Sequence, residues 1–170
     1  MRYNVRVQSF APAMKDVKTP CIGICSTTSL GDRVCRGCKR YAEEVIHWNG
    51  YDSSAKNAVL ARIERLNIQI LETRFSISAP DRLQAGLRRL HIPCNPQQSP
   101  WCWLHNLLKK GVEEIDDLDS FGVRLLPEYA DRDLFELSIQ IEEELLQLAE
   151  AHFDRYIAPV RRKAAGTVPY

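Results

Sequence analysis

The sequence predicts a mainly α protein, with a small four-cysteine metal-binding knuckle followed by a helical body. Three observations predict it. Cys21, Cys25, Cys35 and Cys38 fall in one run, CIGICSTTSLGDRVCRGC, with the spacing C-x3-C-x9-C-x2-C. Beyond that run, apolar residues recur three and four apart in successive segments, which is the period of a helix buried on one face. Capping and breaking residues bracket those segments: Asp52-Ser53-Ser54, Pro80-Asp81, Ser99-Pro100 and Pro159. A chain of 170 residues with 45% hydrophobic content is long enough for a real core and one appended module.

Residues 1–18 are expected to be an arm, flexible or strand-like, because Tyr3, Val5 and Val7 alternate. Residues 19–75 are expected to form the cysteine module with its long helix. Gly23, Gly31 and Gly37 sit where the cysteine loop must turn tightly. Tyr41, Val45 and Trp48 make a short amphipathic helix that stops at Asn49-Gly50. A long helix then runs from the Asp52-Ser53-Ser54 caps to about Phe75. Val59, Ile63, Leu66 and Ile70 form its stripe, widened by Leu60 and Ile68.

Residues 76–158 are expected to be a helical extension. Pro80-Asp81 opens a helix with Leu83, Leu87 and Leu90 on one face. HIPCNPQQSP, at 91–100, is a loop because its three prolines exclude regular structure. Ser99 as N-cap and Pro100 at the first helical position start a helix over Trp101–Lys110 that ends at Gly111. A short helix is expected over Val112–Leu118. The last long helix covers Arg132–Ile157, with Leu134, Leu137, Ile141, Leu145, Leu148 and His152 on one face. Glu142-Glu143-Glu144 is assigned to the solvated face. Pro159 is expected to stop that helix, leaving 159–170 as a disordered tail.

The net charge of +1 conceals an asymmetry. Residues 1–40 hold eight Lys and Arg against two acids, and residues 111–150 hold thirteen acids against two Arg. A basic front and an acidic back suggest two surfaces with different partners, or one half docking on the other. No apolar run approaches the roughly 20 residues of a membrane span. The first residues lack the apolar core of a signal peptide. The expected setting is therefore the cytoplasm, where close cysteines favour metal over disulfides. P-loop, G-x-G-x-x-G, G-x-S-x-G and H-E-x-x-H patterns are absent, which argues against NTPase, dinucleotide and hydrolase chemistry and for a non-enzymatic role.

Two close cysteine pairs joined by a short loop can bring four thiolates to one tetrahedral centre. In Cys35-Arg36-Gly37-Cys38 both sulfurs can turn inward, and backbone N–H groups can donate to the thiolates. Arg36, Lys39 and Arg40 offset their charge, and Ile22 and Ile24 are expected to seal the site. Zn²⁺ is the preferred occupant because the spacing lacks the common ferredoxin patterns; an iron–sulfur cluster is the alternative.

The same run carries Pro20, Cys21, Gly23, Cys25, Cys35, Gly37, Cys38, Arg40, Glu44 and Trp48, and over about residues 19–66 it resembles a bacterial family known as domain of unknown function 1289. The resemblance implies a metal-binding role for the cysteines, described for that family as iron–sulfur. It implies no particular activity.

Weaker patterns remain. His91, Cys94, Cys102 and His105 form H-x2-C-x7-C-x2-H, a candidate second metal site; small core thiols and helix-end imidazoles are the plainer reading. Arg33, Arg36, Lys39 and Arg40 beside Trp48 are a candidate nucleic-acid surface, although Trp48 reads better as core beneath the knuckle. Trp101 and Trp103 read as core. The functional expectation is a metal-binding adaptor whose partner is an unidentified protein or nucleic acid, with no small-molecule substrate identified. An iron–sulfur redox protein is the alternative from a different class. A thiol switch that releases Zn²⁺ on oxidation is a third.

Overall fold

The computed structural model describes residues 17–165. The strand-like arm expected within 1–18 lies almost wholly outside them, as does the end of the expected tail. The chain order is α1 (Ser26–Ser29), α2 (Ala42–Ile46), α3 (Ser53–Leu71), β1 (Phe75–Ile77), α4 (Pro80–Arg89), α5 (Pro100–Gly111), β2 (Val123–Leu125), α6 (Leu134–His152) and α7 (Ala158–Ala165), with short 3₁₀ turns between several of them. The mainly α expectation holds.

The caps explain where the long helices begin. The Asp52 carboxylate accepts from Ala55 N–H at 2.7 Å, the Ser99 hydroxyl from Trp101 N–H at 3.1 Å, and the Asp133 carboxylate from Glu136 N–H at 2.8 Å. Each satisfies a donor that the first helical turn leaves free. Helices α3, α4, α5 and α6 then bury Leu66, Leu71, Leu83, Leu87, Leu104, Leu107, Ile141 and Leu145 in one core.

Three expectations need correction. The long helix ends at Leu71 rather than near Phe75, because Phe75 enters a strand. β1 pairs antiparallel with β2 in the register Phe75↔Leu125, Ser76↔Arg124 and Ile77↔Val123. Gly122, at φ 69°, turns the chain into β2, and its carbonyl accepts from Ser78 and Ala79 N–H. Second, Pro159 does not stop the last helix. A π-helical turn over Phe153–Ile157 widens the helix, and Ala158 N–H donates to the Phe153 carbonyl five residues back. That wider turn accommodates a proline that a regular α-helix would exclude, and helix continues through α7. Third, the segment expected as one helix over Val112–Leu118 is a 3₁₀ turn at Val112–Glu114 with a second at Leu118–Phe121.

Candidate metal centre

The Cys35–Cys38 knuckle is a tight hairpin. Cys35 N–H donates to the Arg40 carbonyl at 2.8 Å, and Lys39 N–H returns to the Cys35 carbonyl at 2.9 Å. Val34 and Tyr41 bridge the two sides. The turn closes only because Lys39 takes φ 60°, the left-handed region that a side chain ordinarily disfavours. The arm carrying Cys21 and Cys25 crosses this turn. A Cβ on Gly37 would lie 2.8 Å from Ile22 Cδ1 and 3.5 Å from the Ile24 carbonyl, so any other residue there would have to push the Ile22 side chain aside. Arg36 N–H donates to Ser26 Oγ at 2.9 Å, fastening α1 to the same turn.

This packing gives the sulfurs distinct environments. Burial raises the Cys35 thiol, but N–H groups of Cys38, Ser26 and Gly37 and the Cys38 thiol outweigh it and bring it to about 6. The Cys38 thiol is pushed up by burial, opposed by Arg40, whose Nε lies 3.3 Å from Cys38 Sγ. Burial likewise acts upward on Cys25, but hydrogen bonds from Thr27 and Thr28 lower it overall; the Thr27 hydroxyl is 2.9 Å away. Cys21 is exposed, with Gly23 N–H donating to its sulfur at 3.4 Å. Among the described residues, no three His, Cys, Asp or Glu side chains are arranged to hold a metal ion. The donor chemistry nonetheless fits a thiophilic metal: Cys25 and Cys35 are biased toward thiolate, with N–H donors around Cys35 and a guanidinium beside Cys38. Of the two isoleucines expected to seal the site, Ile22 packs on Gly37 although 47% exposed, and Ile24 is 80% exposed.

The supports of the knuckle come from three helices. Arg40 stacks on Trp48, with its guanidinium carbon 4.9 Å from the ring, and Trp48 is buried as expected. Glu44 accepts from Tyr41 N–H at 2.8 Å and from Arg62 of α3 at 2.6 Å. Arg62 in turn lies over the Tyr41 ring at 3.8 Å. From the body, Lys109 of α5 donates to the Gly37 carbonyl at 2.8 Å. Lys39 Nζ donates to the Arg36 carbonyl at 2.6 Å.

Glu142 of α6 gathers these charges. Its carboxylate accepts from Lys39 at 2.8 Å and Lys109 at 3.0 Å, and its other oxygen bonds His105 Nε2. Lys39 is only 3% exposed. Burial pushes the Glu142 carboxyl up, but the His105 hydrogen bond and the Lys39 and Lys109 ammonium groups outweigh it and hold it well below the usual carboxylate range. Burial pushes His105 down, against the pull of Glu142. The triplet Glu142-Glu143-Glu144 is therefore not one solvated face. Glu142 fastens the knuckle to the body, and Glu144 takes a two-pronged bond from Arg74 at 2.6 and 2.7 Å.

The other candidates form no second donor cluster among the described residues. His91 is exposed at φ 55°. Cys94 is partly buried, its thiol raised by burial and influenced by Gln84 and Arg88 of α4. Cys102 faces α3, where Asn67 Nδ2 lies 3.7 Å from its sulfur, and burial pushes its thiol to about 12. His105 turns to α6. The basic quartet is engaged within the chain: Arg33 with Asp154, Arg36 with Asp32, Lys39 with Glu142 and Arg40 with Cys38 and Trp48. Trp103 is buried as core, with Nε1 donating to the Asn95 carbonyl at 2.8 Å, and Trp101 packs at the core's edge. No helix is long and apolar enough to cross a membrane among the described residues.

Comparison with known proteins sets this centre in context. No curated protein and no solved structure matches the chain. Residues 19–67, from the start of the cysteine arm to the Asn67 turn of α3, match the family described as Protein of unknown function (DUF1289).

Proposed function

We propose that this is a metal-binding, non-enzymatic adaptor protein in which Cys21, Cys25, Cys35 and Cys38 hold one metal centre, with Zn²⁺ preferred. The observation that carries the reading is the close crossing of the two cysteine pairs at Gly37. The arm packs on the turn through Ile22, while Ser26 bonds Arg36 N–H. Two thiol-bearing segments are thereby set side by side, with N–H donors placed on the sulfur of Cys35.

A bound ion would supply charge neutralisation and a cross-link between the two segments. The chain's own residues do the rest. Arg40 donates toward Cys38, Lys109 and Lys39 hold the backbone of the turn, and Gly37 keeps the arm close. Together they fix one end of the molecule as a rigid surface for a partner.

Elemental analysis and an absorption spectrum on anaerobically purified protein test the reading. One zinc per chain, lost in Cys35→Ser, supports it. Iron with inorganic sulfide and broad visible absorbance replaces it with the iron–sulfur redox alternative, and neither metal overturns both.

A further inference from the structure

We propose that the groove between α3 and α5 docks an extended acidic peptide segment of a partner protein. The proposal rests on the adaptor reading above and names its partner. The groove encloses about 1000 Å³, at the upper end of the range for ligand sites. One wall is the α3 stripe from Ser53 to Asn67, and the other is α5. The loop 93–98, the arm 17–22 and Gly37, Cys38 and Lys39 of the knuckle complete the lining, so one end of the groove borders the candidate metal centre. The α3 wall is about 21 Å long at 1.5 Å per residue, which an extended chain covers in about six residues.

Three features select the occupant. The lining is cationic: Lys18 and Lys110 are exposed and have no ion-pair partner among the described residues. The acid on the lining, Glu64, is already accepting from Ser99 N–H. An acidic segment is therefore electrostatically complementary. The walls also carry Asn57, Asn67 and Asn106, whose carboxamides can both donate to and accept from an extended peptide backbone. Asn57 is exposed and Asn106 half-buried, so these two carboxamides are the ones within reach, whereas Asn67 is buried against Cys102. Third, no Phe, Tyr or Trp among the described residues lines the groove, so single-stranded nucleic acid would find no stacking platform on them.

Panning a random dodecapeptide phage library on the full chain tests the proposal. Binding of the enriched peptide is then measured by fluorescence polarisation, with metal content determined on the same sample. The expected result is enrichment of Asp- and Glu-containing peptides. Their affinity should fall about tenfold in Lys110→Glu, fall in Asn57→Ala, and remain unchanged in Arg132→Glu, which lies outside the groove. Absence of acidic enrichment overturns the proposal, as does an equal loss in Arg132→Glu. A labelled oligouridylate that binds with the same Lys110 dependence also overturns it, in favour of nucleic acid. Metal-loaded protein that selects no peptide sinks the groove alone, and metal-free protein that selects acidic peptides sinks the metal centre alone.

Discussion

Replacing Glu142 by alanine should be the most costly single charge deletion in the molecule. The substitution removes one carboxylate and strands three donors. Lys39 suffers most, because it is 3% exposed and keeps only the Arg36 carbonyl at 2.6 Å. Breaking a buried ion pair from one side costs about 3–5 kcal/mol. Glu142 itself is 28% exposed, so water reaches the site and the lower end applies, about 3 kcal/mol. For a chain of this size that corresponds to a fall in melting midpoint of about 6–12 °C. Urea and thermal denaturation followed by circular dichroism measure it. The stranded charge, rather than lost packing, is the stated cause, so Lys39→Met in the same chain should restore stability to within about 1 kcal/mol of wild type. A loss below about 0.5 kcal/mol in Glu142→Ala, or no recovery in the double variant, would refute the reasoning.

Other expectations follow from the same geometry. His105 is held below its ordinary value by burial, so the unfolded chain takes up a proton that the folded one declines. Stability should be full above about pH 6.5 and fall below it. Glu142 is also depressed, so its contribution is present above about pH 4.3 and is lost on further acidification. Glu142→Gln should flatten that lower part of the acid limb in pH-dependent urea titrations. Gly86→Ala would place a Cβ 2.3 Å from the Phe121 ring, and overpacking of this kind should cost about 1–3 kcal/mol in urea midpoints. Gly37→Ala should lift the cysteine arm by crowding Ile22. A metal-chelator competition should then show weaker metal retention, with the melting of the helical body unchanged.

Much of the fold is legible in the sequence because it is local. Asp52, Ser99 and Pro100 mark helix starts through their own chemistry, and the leucines of α4 and α5 repeat at the period of the buried face. β1 and β2 are not legible, since three residues are too short to display alternation and each forms only because the other is present. Pro159 misleads for the opposite reason. Its local signal is strong, but the π-helical turn before it removes the conflict.

The candidate site divides in the same way. The cysteine spacing announces the two sulfur-bearing segments, and the Cys-x2-Cys turn forms where expected. Its fastening to the body does not show. Glu142 flanks an apolar helix stripe and resembles any surface acid until the knuckle, more than a hundred residues away in sequence, covers it with Lys39. Nor does the sequence announce that Lys39 occupies a left-handed position. The clue that was available is a lysine immediately after the second cysteine of the turn, where glycine would cost less, held there by a side-chain partner.

The central claim is that the four N-terminal cysteines share one metal. Zinc and iron content per chain, measured by mass spectrometry on protein purified without air or chelator, tests it most directly. The account predicts one zinc per chain, halved or worse by Cys21→Ser and by Cys38→Ser alike, so that both arms are shown to contribute. Wild-type protein carrying neither zinc nor iron, or metal content indifferent to both substitutions, would contradict it.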